Sequence, residues 1–131
     1  MNRKYSLKQI RAVWINAYLK GEVDWLGYLE APCFFIKDSD ELIFKANQIA
    51  NIERRRAKFP NKRATDFEFK ETVERFHEYS SWAVVSGSAC FKRGGDIVSQ
   101  CNFFELWLLM DDRWQIASLC LEYTTRSREM Q

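Results

Sequence analysis

The chain has a single histidine, no C-x-x-C pair and no apolar run approaching the length of a bilayer crossing, and its formal net charge is only +2 over 131 residues. Each absence excludes something. The longest apolar stretches, such as Leu106 to Met110, are far too short to span a membrane. Met1-Asn2-Arg3-Lys4-Tyr5 leads into an amphipathic segment rather than the apolar core of a secretion signal, so a cytoplasmic protein is expected. Cys33, Cys90, Cys101 and Cys120 stand apart in apolar surroundings, which suits small buried hydrophobes better than disulfides or zinc ligands; no metal and no cofactor are expected. The small net charge does not by itself select a polyanionic partner. Internal repeats, low-complexity tracts and long linkers are also missing, so residues 1–131 read as one domain.

What is present is a large apolar fraction, 47% hydrophobic and 15% aromatic, enough for a real core without covalent staples. Leu7, Ile10, Val13, Trp14, Ala17 and Tyr18 recur at helical spacing, with Ser6 as a cap and Gly21 at the left-handed position beyond the end. Val23 to Glu30 reads as a second, shorter helix that Pro32 stops, and Cys33 to Ile36 as a short buried strand. A third helix is expected over Asp40 to Lys58, ending in Glu53-Arg54-Arg55-Arg56 and Lys58, with Pro60 closing it and a loop over Asn61 to Ala64. Thr65 to Glu78 reads as a solvent-edged strand. Trp82 to Lys92, Ile97 to Met110 and Arg113 to Thr124 then form three consecutive strands, turning at Gly94-Gly95 and Asp111-Asp112.

With Gly94-Gly95 and Asp111-Asp112 taken as the centres of two-residue hairpins, pairing is fixed and side chains sort by parity. One face collects Trp82, Val84, Phe103, Glu105 and Trp107; the other collects Ala83, Val85, Leu106, Leu108, Leu119 and Leu121. Both are apolar, so both need cover, and the helices can supply only one. The second face, rich in Ala and Leu, is therefore expected to form a homodimer. On the first, Glu105 lies among tryptophans, where a carboxylate must be paired or else protonated and hydrogen-bonded.

Leu19-Lys20-Gly21-Glu22-Val23-Asp24, Ala83-Val84-Val85-Ser86-Gly87 and Phe104-Glu105-Leu106-Trp107 followed by Asp112-Arg113-Trp114-Gln115-Ile116 stand in an order that resembles the nuclear transport factor 2-like superfamily. This group includes ketosteroid isomerase, scytalone dehydratase and SnoaL-like polyketide cyclases. The resemblance covers nearly the whole chain. It implies an α+β, cystatin-like cone, with a curved mixed or antiparallel sheet wrapped around three N-terminal helices. Carried over from ketosteroid isomerase, the general base falls on Asp38, the hydrogen-bonding carboxylic acid on Glu105, and the oxyanion tyrosine on Trp14. An indole donates a hydrogen bond but lacks a phenol's acidity, and Tyr18, one turn on, is the available substitute. Asp38 and Asp40 fit capping of the third helix as well as catalysis.

His77 matches the histidine that superfamily cyclases and dehydratases use with an aspartate, although a lone histidine at a hairpin end is also simply solvated. Trp14, Tyr18, Trp82, Phe103 and Trp107 are the expected walls of a pocket for a small hydrophobic ligand. With Asp38 or His77 as base and Glu105 as hydrogen-bond donor, the implied reaction is cofactor-free proton transfer of isomerase, dehydratase or cyclase type. The rival expectation is a non-catalytic binding or association module, an accessory subunit acting through its dimer and a partner protein, with Glu105 paired to an arginine or capping a structural network across the cone mouth. Six cations, Arg54, Arg55, Arg56, Lys58, Lys62 and Arg63, crowd ten positions. No aromatics interleave them as a single-strand binder requires, so nucleic acid is not the expected partner.

Overall fold

A computed structural model describes residues 5–58 and 68–126. Helix α1 spans Leu7–Lys20, and Ser6 caps it through a reciprocal capping box with Gln9. Gly21 ends it in the left-handed conformation at φ 69°. Helix α2 covers Val23–Leu29. Strand β1 runs Glu30–Asp38, so Pro32 lies inside the strand instead of preceding it; the β1 register is irregular between Glu30 and Phe35, where a residue without an N–H is tolerated.

The expected third helix over Asp40 to Lys58 is shortened by a hairpin. Glu41–Phe44 form strand β2, antiparallel to β1, and helix α3 covers only Lys45–Lys58. Asp38 and Asp40 therefore flank a strand turn in which Ser39 adopts φ 54°, and they do not cap a helix. Strands β3 (Glu68–Glu78), β4 (Trp82–Arg93), β5 (Asp96–Met110) and β6 (Arg113–Arg126) complete the elements of the described residues. The readings that involve Pro60, the 61–64 loop, Lys62, Arg63 and residues 65–67 lie outside the described residues.

The six strands form one curved mixed sheet in the order β2-β1-β6-β5-β4-β3, with β1 parallel to β6 and the other neighbours antiparallel. Both hairpin turns have the expected positive φ at their central residues, 59° and 87° at Gly94-Gly95 and 54° and 60° at Asp111-Asp112. The expected side-chain sorting nevertheless fails between β4 and β5. Lys92 pairs with Ile97 but Phe91 pairs with Ser99, so Val98 is an inserted residue, and beyond it every β4 side chain lies on the opposite face from the unbulged reading.

The inner face accordingly carries Ala83, Val85, Gly87 and Ala89 beside Cys101, Phe103, Glu105 and Trp107. Leu119 and Leu121, paired with Glu105 and Phe103, are buried there too. Of the six residues expected to form one dimer surface, only Leu106 and Leu108 face outward, while Ala83, Val85, Leu119 and Leu121 belong to the core. The small residues of β4 serve the chain's own packing. A Cβ at Gly87 would sit 2.0 Å from the Thr72 carbonyl oxygen, because β3 is bulged between Val73 and Arg75 and presses its backbone onto that position.

The core is built from Leu7, Trp14 and Ala17 of α1, Leu26 and Leu29 of α2, Phe34 and Ile36 of β1, and the inner side chains of β4, β5 and β6. Cys101 is the one buried cysteine; Cys90 and Cys120 are half-buried, Cys33 is exposed, and all four are free thiols. Cys33 thus departs from the expected buried role, its strand lying near the sheet edge beside short β2.

Candidate functional site

Two groups of polar side chains occupy the inner face, and they differ in chemistry. The first is centred on Arg11. It stands four residues after Leu7 and three before Trp14, on the stripe of α1 that faces the sheet, and is buried there. Its Nε and Nη2 donate to Glu105 Oε1 and Oε2, each at 2.7 Å, and its Nη1 and Nη2 donate to the two carboxylate oxygens of Glu71 on β3, each at 2.9 Å. Trp107 Nε1 donates to Glu105 Oε1 at 2.9 Å, and the guanidinium lies 5.4 Å from the Phe103 ring centre. Burial works against the Arg11 charge, but the hydrogen bonds it donates to Glu71 and Glu105, together with their negative charges, outweigh it and push the pKa up.

This arrangement assigns Glu105. Both of its oxygens already accept charge-assisted hydrogen bonds, so it serves as the anion of a buried ion pair and is not placed to donate a proton-borne hydrogen bond to a ligand. The arginine-paired reading is the one the geometry supports. Trp14 and Trp107 pack edge to face with ring centres 5.8 Å apart, and with Phe103 they fill the space beside the pair.

The second group lies along the same inner face, toward the C-terminal end of α1. Tyr18 packs 5.4 Å from Trp14. Burial raises its pKa, and the charges of Tyr123, Asp38 and Glu30 raise it further, so the phenol stays a neutral donor. Asp38, half-buried, shares the β1 face of Phe34 and Ile36. Cys101 lies opposite Tyr123 in the sheet register; burial, aided by the Asp38 charge, pushes its thiol up to about 11. Tyr123, Asp38 and Cys101 therefore all lie within electrostatic reach of Tyr18.

Between the two groups is Glu30, the first residue of β1 and fully buried. Its Oε2 accepts from Trp14 Nε1 at 3.1 Å and from Gln48 Nε2 at 3.0 Å, while its Oε1 has no partner. Burial pushes its pKa from the ordinary 4.5 up to about 7, against the opposing pull of these two hydrogen bonds and of Lys45. Lys45 itself donates to the carbonyls of Gly27 and Glu30, both at 2.8 Å.

Of the expected site residues, Trp14, Tyr18, Phe103, Glu105, Trp107 and Asp38 face the interior. His77 and Trp82 do not. His77 pairs with Val84 on the outer side of the β3–β4 hairpin and is exposed, and Trp82 is 41% exposed and stacked on Tyr79 with ring centres 4.2 Å apart. Their displacement follows from the Val98 bulge, which turns the even-numbered residues of β4 outward. Sequence reasoning missed Arg11, Glu71 and Glu30. Arg11 left a signal, a lone cation at the centre of an apolar helical stripe, and Glu30 left a weaker one, an acid between Leu29 and Ala31-Pro32-Cys33-Phe34.

The basic end of α3 is partly engaged: Arg54 donates to Asn51 at 2.9 Å, and Arg56 donates to the Gly21 carbonyl. Among the described residues no group of three His, Cys, Asp or Glu side chains is placed to hold a metal ion, and no helix is long and apolar enough to cross a membrane.

No family model matches the chain, and no curated protein matches it in sequence. Solved structures do match in shape. An NTF2-like protein from Cytophaga hutchinsonii superposes with a TM-score of 0.68 at 15% identity, covering 94% of this chain and 99% of that one. An NTF-2 like protein of unknown function from Shewanella oneidensis gives 0.64 at 18% identity, over 88% of this chain and 94% of that one. A ketosteroid isomerase-like protein from Erwinia carotovora atroseptica gives 0.66 at 9% identity, over 91% and 94%. At such low identities the likeness is one of architecture, and the α1–α3 helices with their six-stranded curved sheet have the nuclear transport factor 2-like, cystatin-like fold.

Proposed function

We propose that this chain binds a small, largely apolar molecule carrying a carbonyl or hydroxyl oxygen, at the end of the inner face where Tyr18, Asp38 and Tyr123 meet. The observation that carries this reading is the grouping at that end. Tyr18 is a partly buried phenol, kept neutral by burial, with Tyr123 and Asp38 within electrostatic reach, and Asp38 shares the β1 face of buried Phe34 and Ile36. A phenol donates to a ligand oxygen, and Asp38 accepts from a hydroxyl or withdraws a proton from carbon next to a carbonyl held by Tyr18. If there is a reaction, it is cofactor-free proton transfer with Asp38 as base. The ketosteroid isomerase-like neighbour has the same architecture and is consistent with this choice.

The test is a thermal-shift and tryptophan-fluorescence screen against small aliphatic, cyclic and aromatic ketones and alcohols, since Trp14 packs against Tyr18 and reports on that end. A hit should weaken roughly tenfold in Tyr18→Phe and in Asp38→Asn. Failure of the whole panel to shift either signal, or hits indifferent to both substitutions, would sink the proposal.

A second reading is association of two copies through the outer face of the sheet. Trp82 and Phe104 are 41% and 45% exposed there, with Val84, Leu106 and Leu108 half-buried beside them. This face replaces the one expected from parity. Sedimentation of the wild type and of Phe104→Glu decides it: a monomer at micromolar concentration in both excludes the dimer.

A further inference from the structure

Helix α3 is held by few contacts. Its one buried residue is Gln48, a polar one, and the Lys45 ammonium on two carbonyls, Arg56 on the Gly21 carbonyl, and partly buried Ile49 and Ile52 also hold it. Gln48 is thus the innermost attachment of this helix, and it meets Glu30.

The two side chains are joined by one hydrogen bond, Gln48 Nε2 to Glu30 Oε2 at 3.0 Å. Each then keeps one unused oxygen, Glu30 Oε1 and Gln48 Oε1, and both are buried without a partner. An ionised carboxylate offers only acceptors, so it satisfies neither oxygen; a protonated carboxyl offers one donor. Two orphaned acceptors on one hydrogen-bonded pair lack a single proton. Leaving them unmatched in the core is costly.

We propose that Glu30 carries a proton on Oε1 and donates it to Gln48 Oε1, closing a two-bond acid–amide ring that latches α3 to β1 and α1, and that the latch releases when the proton leaves. On release the Oε1–H donor disappears and Gln48 Oε1 is orphaned again, with a bare carboxylate left in the core.

The surroundings bear on when this happens. From α1, the Trp14 indole donates to Oε2 and the Tyr18 phenol lies within electrostatic reach. From α3 come Gln48 and the Lys45 ammonium, which grips the Glu30 carbonyl; from α2, Gly27 shares that ammonium; and from β6, Ile116 is the register partner. Burial favours the protonated form, and the hydrogen bonds from Trp14 and Gln48 and the charge of Lys45 oppose it without cancelling it, which places the carboxyl at about 7. The inference stands on the Glu30–Gln48 geometry and does not depend on any ligand.

The experiment uses the full chain and the Glu30→Gln variant. Infrared spectra and amide hydrogen exchange, corrected for intrinsic rates, are recorded between about pH 5 and about pH 9. The wild type should show a protonated-carboxyl stretch that disappears with a midpoint near neutrality and is missing from the variant. Exchange in α3 should accelerate roughly tenfold or more across the same range in the wild type. It should stay flat in Glu30→Gln, whose amide N–H replaces the proton as donor to Gln48. A wild type with no titrating carboxyl stretch, as when a water bridges an ionised Glu30, would overturn the proposal. So would α3 exchange that is flat in the wild type, or equally pH-dependent in the variant. Should Glu30→Gln fail to fold, the wild-type infrared and exchange profiles decide alone.

Discussion

Arg11 on α1 and Glu105 on β5 face each other through two hydrogen bonds of 2.7 Å each across a separation of 94 residues, and the same guanidinium grips Glu71 on β3. The pair ties the first helix to two strands of the sheet at once. Its chemistry is asymmetric, since one cation serves two carboxylates.

Replacing the cation should therefore hurt more than replacing either anion. Arg11→Met leaves two carboxylates without their counter-charge, one of them fully buried, and should cost roughly 3–5 kcal/mol. Glu105→Gln leaves Arg11 paired with Glu71 and should cost only about 1–2 kcal/mol. Urea denaturation curves of the two variants provide the comparison, and equal midpoints would refute the asymmetry.

Stability should fall as pH rises through the Glu30 titration. Below 4.5 the residue is protonated in both folded and unfolded chains; between 4.5 and about 7 only the folded chain keeps the proton; above about 7 the folded chain carries a buried carboxylate. The full difference corresponds to about 3 kcal/mol, fully present at low pH and gone above neutrality. Melting temperatures of the wild type minus those of Glu30→Gln isolate this contribution, which should decline between those limits and then level off.

Gly87→Ala should be among the most damaging small substitutions. The added methyl would sit 2.0 Å from the Thr72 carbonyl oxygen, which is backbone and cannot swing away. The cost should be roughly 3 kcal/mol, at the upper end of overpacking effects. An alanine variant with an unchanged denaturation midpoint would contradict the packing described for the β3–β4 bend.

Thiol labelling should separate the cysteines by position. Exposed Cys33 should react first with an alkylating reagent, and Cys101, buried with its thiol pushed up to about 11, should react only on unfolding. Mass mapping of partly labelled protein reads the order directly, and early labelling of Cys101 would mean that the inner face opens readily.

Much of this architecture could be read from the residues themselves. Ser6 and Gly21 mark both ends of α1, and the Gly94-Gly95 and Asp111-Asp112 turns announce the three-strand meander, because caps and hairpins depend on local backbone chemistry. The Val98 bulge has no comparable local signature. Its two neighbouring residues, Val98 and Ser99, are both buried, and their identity does not reveal that one of them is skipped in the ladder. That one insertion moved Trp82 out of the expected pocket and drew Ala83 and Val85 into the core. The site was legible where an odd residue type stood out on an expected face, as Glu105 did, and illegible where its partner came from another element. Arg11 and Glu71 are brought to Glu105 by tertiary packing alone.

The parallel pairing of β1 with β6 has a consequence for how the chain is made. Ile36 finds its register partner at Leu119 on β6, and Arg11 finds Glu105 on β5, so neither β1 nor α1 can complete these contacts until the ribosome has delivered those strands. Until then Arg11 lacks Glu105 and β1 lacks its β6 partner, whereas Glu30 already has Trp14 and Gln48 within the N-terminal half. The antiparallel β3–β6 meander, whose contacts are mostly between consecutive strands, is the part suited to form first and receive the waiting helices.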